Sequence, residues 1–131
     1  MTNFSWTKQW YPVAPINYLD DSHPTPITLL GKRLVIWRDK QQKWIAMDDT
    51  CPHKLVQLSL GSLNQNGDLM CRHHGWCFDG AGQCTNIPML SDEKALKTSF
   101  NSKRSQVQIY PIQVQQGLLW VWPDKLSLIH I

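Results

Sequence analysis

The sequence has no long apolar run. Nothing in its 131 residues approaches the roughly 18 consecutive apolar residues of a membrane helix, so no membrane span is expected. The start, Met1-Thr2-Asn3-Phe4-Ser5, has neither the basic region nor the apolar stretch of a secretory signal, so the expectation is a soluble, unexported chain. Charge of one sign is lacking too. Thirteen basic against ten acidic residues leave +3, and the densest basic pairs, Lys32-Arg33 and Lys103-Arg104, lie far apart in the sequence. No nucleic-acid partner is expected from so dispersed a charge. No internal repeat or low-complexity tract is visible, and helical periodicity is weak throughout. Four cysteines could form two disulfides, but without an export signal a reducing compartment is the better premise, and metal binding comes first.

What is present is β structure and aromatic bulk. With 42% hydrophobic residues, among them seven Trp, three Tyr and three Phe, the chain is that of one globular domain with one core. Ile27-Thr28-Leu29-Leu30 and Arg33-Leu34-Val35-Ile36-Trp37-Arg38 read as strands around a tight turn at Gly31. The polar stretch Asp39 to Lys43 then turns the chain into Trp44-Ile45-Ala46-Met47. Val107 to Tyr110 and Leu118 to Trp122 repeat the pattern. Short strands at regular spacing, with eight prolines, predict an all-β fold, an antiparallel β-sandwich or small barrel. Ser91 to Ser99 is expected to be a surface loop. Residues 126–131 form an oddly apolar tail, read as truncated or non-native and set apart from a domain over 1–125.

The chemistry lies in two half-motifs. Cys51-Pro52-His53 is Cys-x-His and Cys71-Arg72-His73-His74 is Cys-x-x-His, with 17 residues between His53 and Cys71. Each offers one thiolate and one imidazole from a short turn. Two such loops can hold a [2Fe-2S] cluster, with Cys51 and Cys71 on one iron and His53 and His74 on the other. A Cys2His2 zinc site uses the same ligand types, although zinc ligands on one turn usually stand two to four residues apart. His73 breaks the Cys-x-x-His register and reads as a neighbour. Cys77 and Cys84 flank a glycine-rich hairpin turn, Phe78 to Gln83, and read as small packing residues.

The run from Cys51 to Lys54, and from Cys71 through Gly75-Trp76-Cys77-Phe78-Asp79, resembles the Rieske domains of ring-hydroxylating and related non-haem oxygenases. The flanks Trp10-Tyr11-Pro12-Val13-Ala14-Pro15, Asp48-Asp49-Thr50 and Gly82-Gln83-Cys84-Thr85-Asn86-Ile87-Pro88 look like the pheophorbide a oxygenase and chlorophyllide a oxygenase branch. That resemblance implies a Rieske fold (ISP-domain type) with a cluster-binding subdomain of two loops, and a Rieske-type [2Fe-2S] cluster. Lys54, Gln57, Leu60 and His73 depart from the branch, which usually has arginine, proline, an acidic residue and tyrosine there. High-potential Rieske proteins carry two further cysteines and two hydroxyl donors beside the cluster. The matching positions here are Val56 and His73, and Trp76 and Phe78. The resemblance therefore implies a potential below zero, near the bottom of the roughly −150 to +300 mV Rieske range.

Such oxygenases pass the electron to a mononuclear iron held by two histidines and a carboxylate in a following domain. Here His23, His73 and His130 show no triad spacing with a carboxylate. The chain reads as the electron-transfer domain of an oxygenase (an oxidoreductase). Its donor would be a reductase or ferredoxin, and its acceptor a mononuclear iron domain, in a neighbouring subunit or beyond this chain. A stand-alone Rieske ferredoxin and a zinc-stabilised binding module are the alternatives. The expected location is cytoplasmic, cyanobacterial or bacterial, with any membrane association supplied by a C-terminal region.

Overall fold

Leu34-Val35-Ile36-Trp37 are four consecutive residues with no exposed surface. Successive side chains of a strand point to opposite faces, so such a run requires a sheet covered on both sides. The computed structural model, which describes residues 5–52, 56–72, 75–87 and 106–124, has that arrangement.

Among the described residues there are eleven strands in three antiparallel sheets, and the only helical pieces are two 3-10 turns, Ile16–Tyr18 and Leu58–Leu60. The central sheet joins β2 (Thr25–Leu29), β3 (Lys32–Arg38), β4 (Trp44–Asp48) and β9 (Ile109–Tyr110) in the order β2-β3-β4-β9. Leu34 and Ile36 of β3 and Ala46 of β4 pack with Leu119 and Val121. Those two residues come from a three-stranded sheet ordered β1 (Tyr11–Pro15), β11 (Leu118–Val121) and β10 (Ile112–Gln115). Val35 and Trp37 of β3, with Ile45 and Met47 of β4, pack on the other face with Leu58, Leu69, Phe78, Cys51 and Cys71. Here lies the third sheet, four short strands β5 (Ser62–Leu63), β6 (Leu69–Met70), β7 (Cys77–Phe78) and β8 (Cys84–Asn86), in that order.

The expected all-β antiparallel architecture is present, but the single core is replaced by two apolar clusters, one on each face of the central sheet. The reason is the apolar run of β3, whose alternate residues feed both. Burying each such side chain contributes about 1.5–3 kcal/mol, so β3 is the strand on which both halves depend.

Three hairpin turns share one construction. Asp39, Asn64 and Asp79 each accept, on Oδ1, the N–H groups of the residues two and four further on, at 2.9–3.0 Å. In each, the fourth residue adopts positive φ: Gln42 at 69°, Gly67 at 80° and Gly82 at 79°. These Asx turns return the chain between β3 and β4, β5 and β6, and β7 and β8. They meet around a common cleft lined by Asp39, Lys40, Asn66, Gly67, Asp79 and Ala81. Chain direction then sends the opposite ends of β4, β6 and β7 towards Cys51 and Cys71. Ser91 to Ser99 and the tail 126–131 lie outside the described residues.

Candidate metal centre

Both cysteines of the two half-motifs stand at the heads of loops closed in the same way. The Cys51 N–H donates to the Val56 carbonyl at 2.7 Å, and the Cys71 N–H donates to the Trp76 carbonyl, also at 2.7 Å. Each bond reaches five residues along the chain and brackets a short loop. In the second loop the Gly75 N–H also donates to the Cys71 carbonyl at 3.0 Å. His53 falls inside the first bracket and His73 and His74 inside the second, and all three lie outside the described residues. Cys51 and Cys71 are 0% and 1% exposed and belong to the same apolar cluster. Two buried thiols heading equivalent loops form a soft donor set in a dry setting, which fits an iron–sulfur centre.

The first loop leaves β4 through two acidic residues. The Asp48 carboxylate accepts the Tyr110 hydroxyl at 2.5 Å. Burial above all, and then this carboxylate, push the Tyr110 phenol well above its usual range. Asp49 is buried, and its N–H donates to the Arg33 carbonyl at 3.0 Å, continuing the β3–β4 pairing by one step. Its carboxylate holds Ser59, at the far side of the loop, through Oδ1 to the Ser59 N–H and Oδ2 to the Ser59 hydroxyl, both at 2.6 Å. At Gly61 an added Cβ would overlap the Met70 carbonyl, so the end of the first loop lies directly on the residue preceding Cys71. Neither the Ser59 grip nor this contact is visible in the sequence, where Asp49 is only a flank of the motif; the one signal there is an acid pair immediately after an apolar strand.

Cys77 and Cys84 sit in β7 and β8, 2% and 1% exposed. The Cys77 thiol donates to the Gly75 carbonyl at 3.3 Å and accepts from Asn64 Nδ2 at 3.4 Å. Burial pushes its pKa up, against the opposing effect of the Asn64 donor. Burial likewise pushes the Cys84 thiol up to about 11. Both remain protonated thiols at neutral pH, as small packing groups do. None of the four cysteines is in a disulfide. Phe78 is fully buried and Trp76 half-buried against the same apolar cluster.

Residues 9–111 match the family described as Rieske [2Fe-2S] domain. The chain belongs to that family. Membership implies a Rieske-type [2Fe-2S] cluster in this Rieske domain, as the donor set allows. It is 46% identical over 125 residues to chloroplastic pheophorbide a oxygenase of Arabidopsis thaliana, and 42% identical over 125 residues to chloroplastic flavonoid 8-hydroxylase 2 of Ocimum basilicum. These alignments cover 95% and 93% of this chain, but only 23% and 24% of the relatives, so the chain spans about a quarter of their length. The solved structure of dicamba monooxygenase with non-heme iron and dicamba superposes with a TM-score of 0.79 at 31% identity, over 92% of this chain and 34% of that one.

The expected cytoplasmic, bacterial or cyanobacterial location is corrected by these comparisons. Pheophorbide a oxygenases, the protochlorophyllide-dependent translocon component 52 and protein TIC 55 are chloroplastic, which points to the chloroplast. The residues that build the sheets and the cysteine loops serve folding and metal binding alike in any compartment, so their pattern carries no address. Among the described residues no helix is long and apolar enough to cross a membrane.

Proposed function

We propose that this Rieske domain carries out one-electron transfer at low potential, with its cluster held by Cys51, His53, Cys71 and His74, and that it serves an oxygenase by delivering electrons to a mononuclear iron site. The observation that carries the reading is the pair of equivalent cysteine-headed loops, each bracketing a histidine in sequence. A bound cluster of this kind supplies a one-electron couple whose potential rises with imidazole ligation. The chain contributes the rest. Cys51 and Cys71 anchor the buried side in the apolar cluster that contains Val35, Leu58 and Leu69. Phe78 walls that side from water, and neither it nor Trp76 brings a hydroxyl to the thiolates, which favours a negative potential.

The acceptor reading rests on the oxygenase relatives and on the neighbour solved with non-heme iron. The acceptor is a mononuclear iron domain, in the same polypeptide or a neighbouring subunit, and the donor a reductase or ferredoxin. We assign 1–125 to the electron-transfer domain.

The test is the electron paramagnetic resonance spectrum of the reduced, reconstituted protein with a redox titration. Mixed histidine and cysteine ligation gives a lower average g value than four cysteines, and His74→Cys shifts both g and the potential towards an all-cysteine cluster. A parent spectrum of the all-cysteine type, or a His74→Cys protein indistinguishable from the parent, overturns the ligand assignment. A clearly positive midpoint overturns the low-potential assignment.

A further inference from the structure

Asp49 is the one charged side chain that is buried among the described residues, at 1% exposure. A carboxylate in an apolar interior costs several kcal/mol unless hydrogen bonds compensate. Among the described residues its compensation comes from Ser59, through both backbone and hydroxyl at 2.6 Å. The contrast with Asp39, Asn64 and Asp79 is informative. Those three cap their own turns by binding N–H groups two and four residues away. Asp49 reaches across ten residues and so encloses the whole Cys51 loop, including the inner closure from the Cys51 N–H to Val56.

The grip continues to the second loop. Ser59 lies in the 3-10 turn Leu58–Leu60, whose Leu58 is fully buried beside Cys51 in the apolar cluster. The next residue after that turn is Gly61, pressed on the Met70 carbonyl immediately before Cys71. One path of contacts therefore runs from Asp49 through Ser59 and Gly61 to Met70, linking the loops that carry Cys51 and Cys71.

We propose that Asp49 is a positioning residue for the cluster: its carboxylate, by holding both the amide and the hydroxyl of Ser59, sets the Cys51 loop at the separation from the Cys71 loop that a [2Fe-2S] cluster requires. This rests on the cluster reading above.

The experiment uses the 131-residue protein reconstituted with iron and sulfide, as parent and as Asp49→Ala, Asp49→Asn, Ser59→Ala and Cys51→Ala. It reads cluster lifetime against a chelator, paramagnetic line shape, midpoint potential and thermal unfolding. Loss of an outer partner of a metal site costs about 10- to 100-fold in metal affinity, so Asp49→Ala should lose its cluster faster by that factor, with a broadened spectrum. Asp49→Asn, which can still accept the Ser59 amide and donate to its hydroxyl, should restore most of the lifetime. Ser59→Ala should fall between Asp49→Asn and Asp49→Ala.

Asp49→Ala and Ser59→Ala with parental lifetime, line shape and potential overturn the proposal, even if thermal stability drops. If Asp49→Ala does not fold, Ser59→Ala decides, since it removes one bond and no charge: faster loss supports the proposal and parental lifetime overturns it. Cys51→Ala, which leaves no donor atom at that position, separates the two readings. Retention of iron and sulfide there refutes the ligand assignment itself, whereas loss there with unchanged Asp49 and Ser59 variants refutes the positioning role alone.

Discussion

The sheet of β5 to β8, together with β4, has two ends built on different plans. At one end, Asp39, Asn64 and Asp79 each close a five-residue turn with hydrogen bonds confined to that turn. At the other, the Cys51 and Cys71 loops have local closures but are held by contacts outside those closures: Asp49 with Ser59, across ten residues, and Gly61 against Met70, across the β5–β6 hairpin. A turn that satisfies itself can tolerate change without disturbing its neighbours. On the proposed ligand assignment the two loops present ligands at one separation, which needs contacts between them, because independent loops would each relax separately. The difference explains why strands of only two residues suffice in this sheet: β5, β6 and β7 connect the self-contained turns to the coupled loops.

The comparison predicts a graded response. Gly61→Ala should have the largest effect, because its methyl group meets the Met70 backbone and no flexible side chain can yield. The expected cost is about 3 kcal/mol, read by denaturant unfolding, together with faster loss of the cluster. A cost no greater than that of a turn variant would show that the loops are not coupled through this contact.

Asp79→Ala removes the acceptor of two N–H groups, those of Ala81 and Gln83. It should cost about 1–2 kcal/mol and leave the paramagnetic spectrum as in the parent. A changed spectrum would mean that the turn end and the cysteine end communicate, erasing the distinction between them.

Asp68 supplies the smallest effect and fixes its sign. Burial raises its pKa above 3.8, the Thr85 hydroxyl that donates to it at 2.9 Å works in the opposite direction, and Asp79 and Asp39 raise it further. A carboxyl whose folded pKa is raised contributes stability that is fully present below 3.8 and is lost as pH rises through its folded value. Asp68→Asn keeps an acceptor for Thr85, so it should gain on the parent at neutral pH by about 0.5 kcal/mol or less and lose that gain in acid. Unfolding measured across that acid range checks this, and a gain that grows as pH falls would contradict it.

Much of the fold is legible in the chain. The β3 and β4 segments and the hairpin from Cys77 to Asn86 follow from apolar runs separated by Asp, Asn and Gly at turn positions. Less legible are β5 and β6, whose two-residue strands show no periodicity, and β10, where exposed Val114 and Gln115 alternate too weakly to announce a strand. The split of the interior into two clusters was also missed, although Leu34 to Trp37 already imply two covered faces.

At the site, the half-motifs identify Cys51, His53, Cys71 and His74 as candidates because ligand type and spacing are local properties of the chain. Sequence alone thus determined the family chemistry and the turns that use only their own backbone. Tertiary structure decided which contacts join the two cysteine loops. Asp49 and Ser59 are ten residues apart and Gly61 and Met70 nine, and nothing in the identity of any of them names its partner. The Asp49–Ser59 pairing exists only once the central sheet and the short-stranded sheet have packed, since burial is what makes the Asp49 carboxylate need Ser59, whereas Gly61 meets Met70 through the β5–β6 hairpin, whose register pairs Ser62 with Met70.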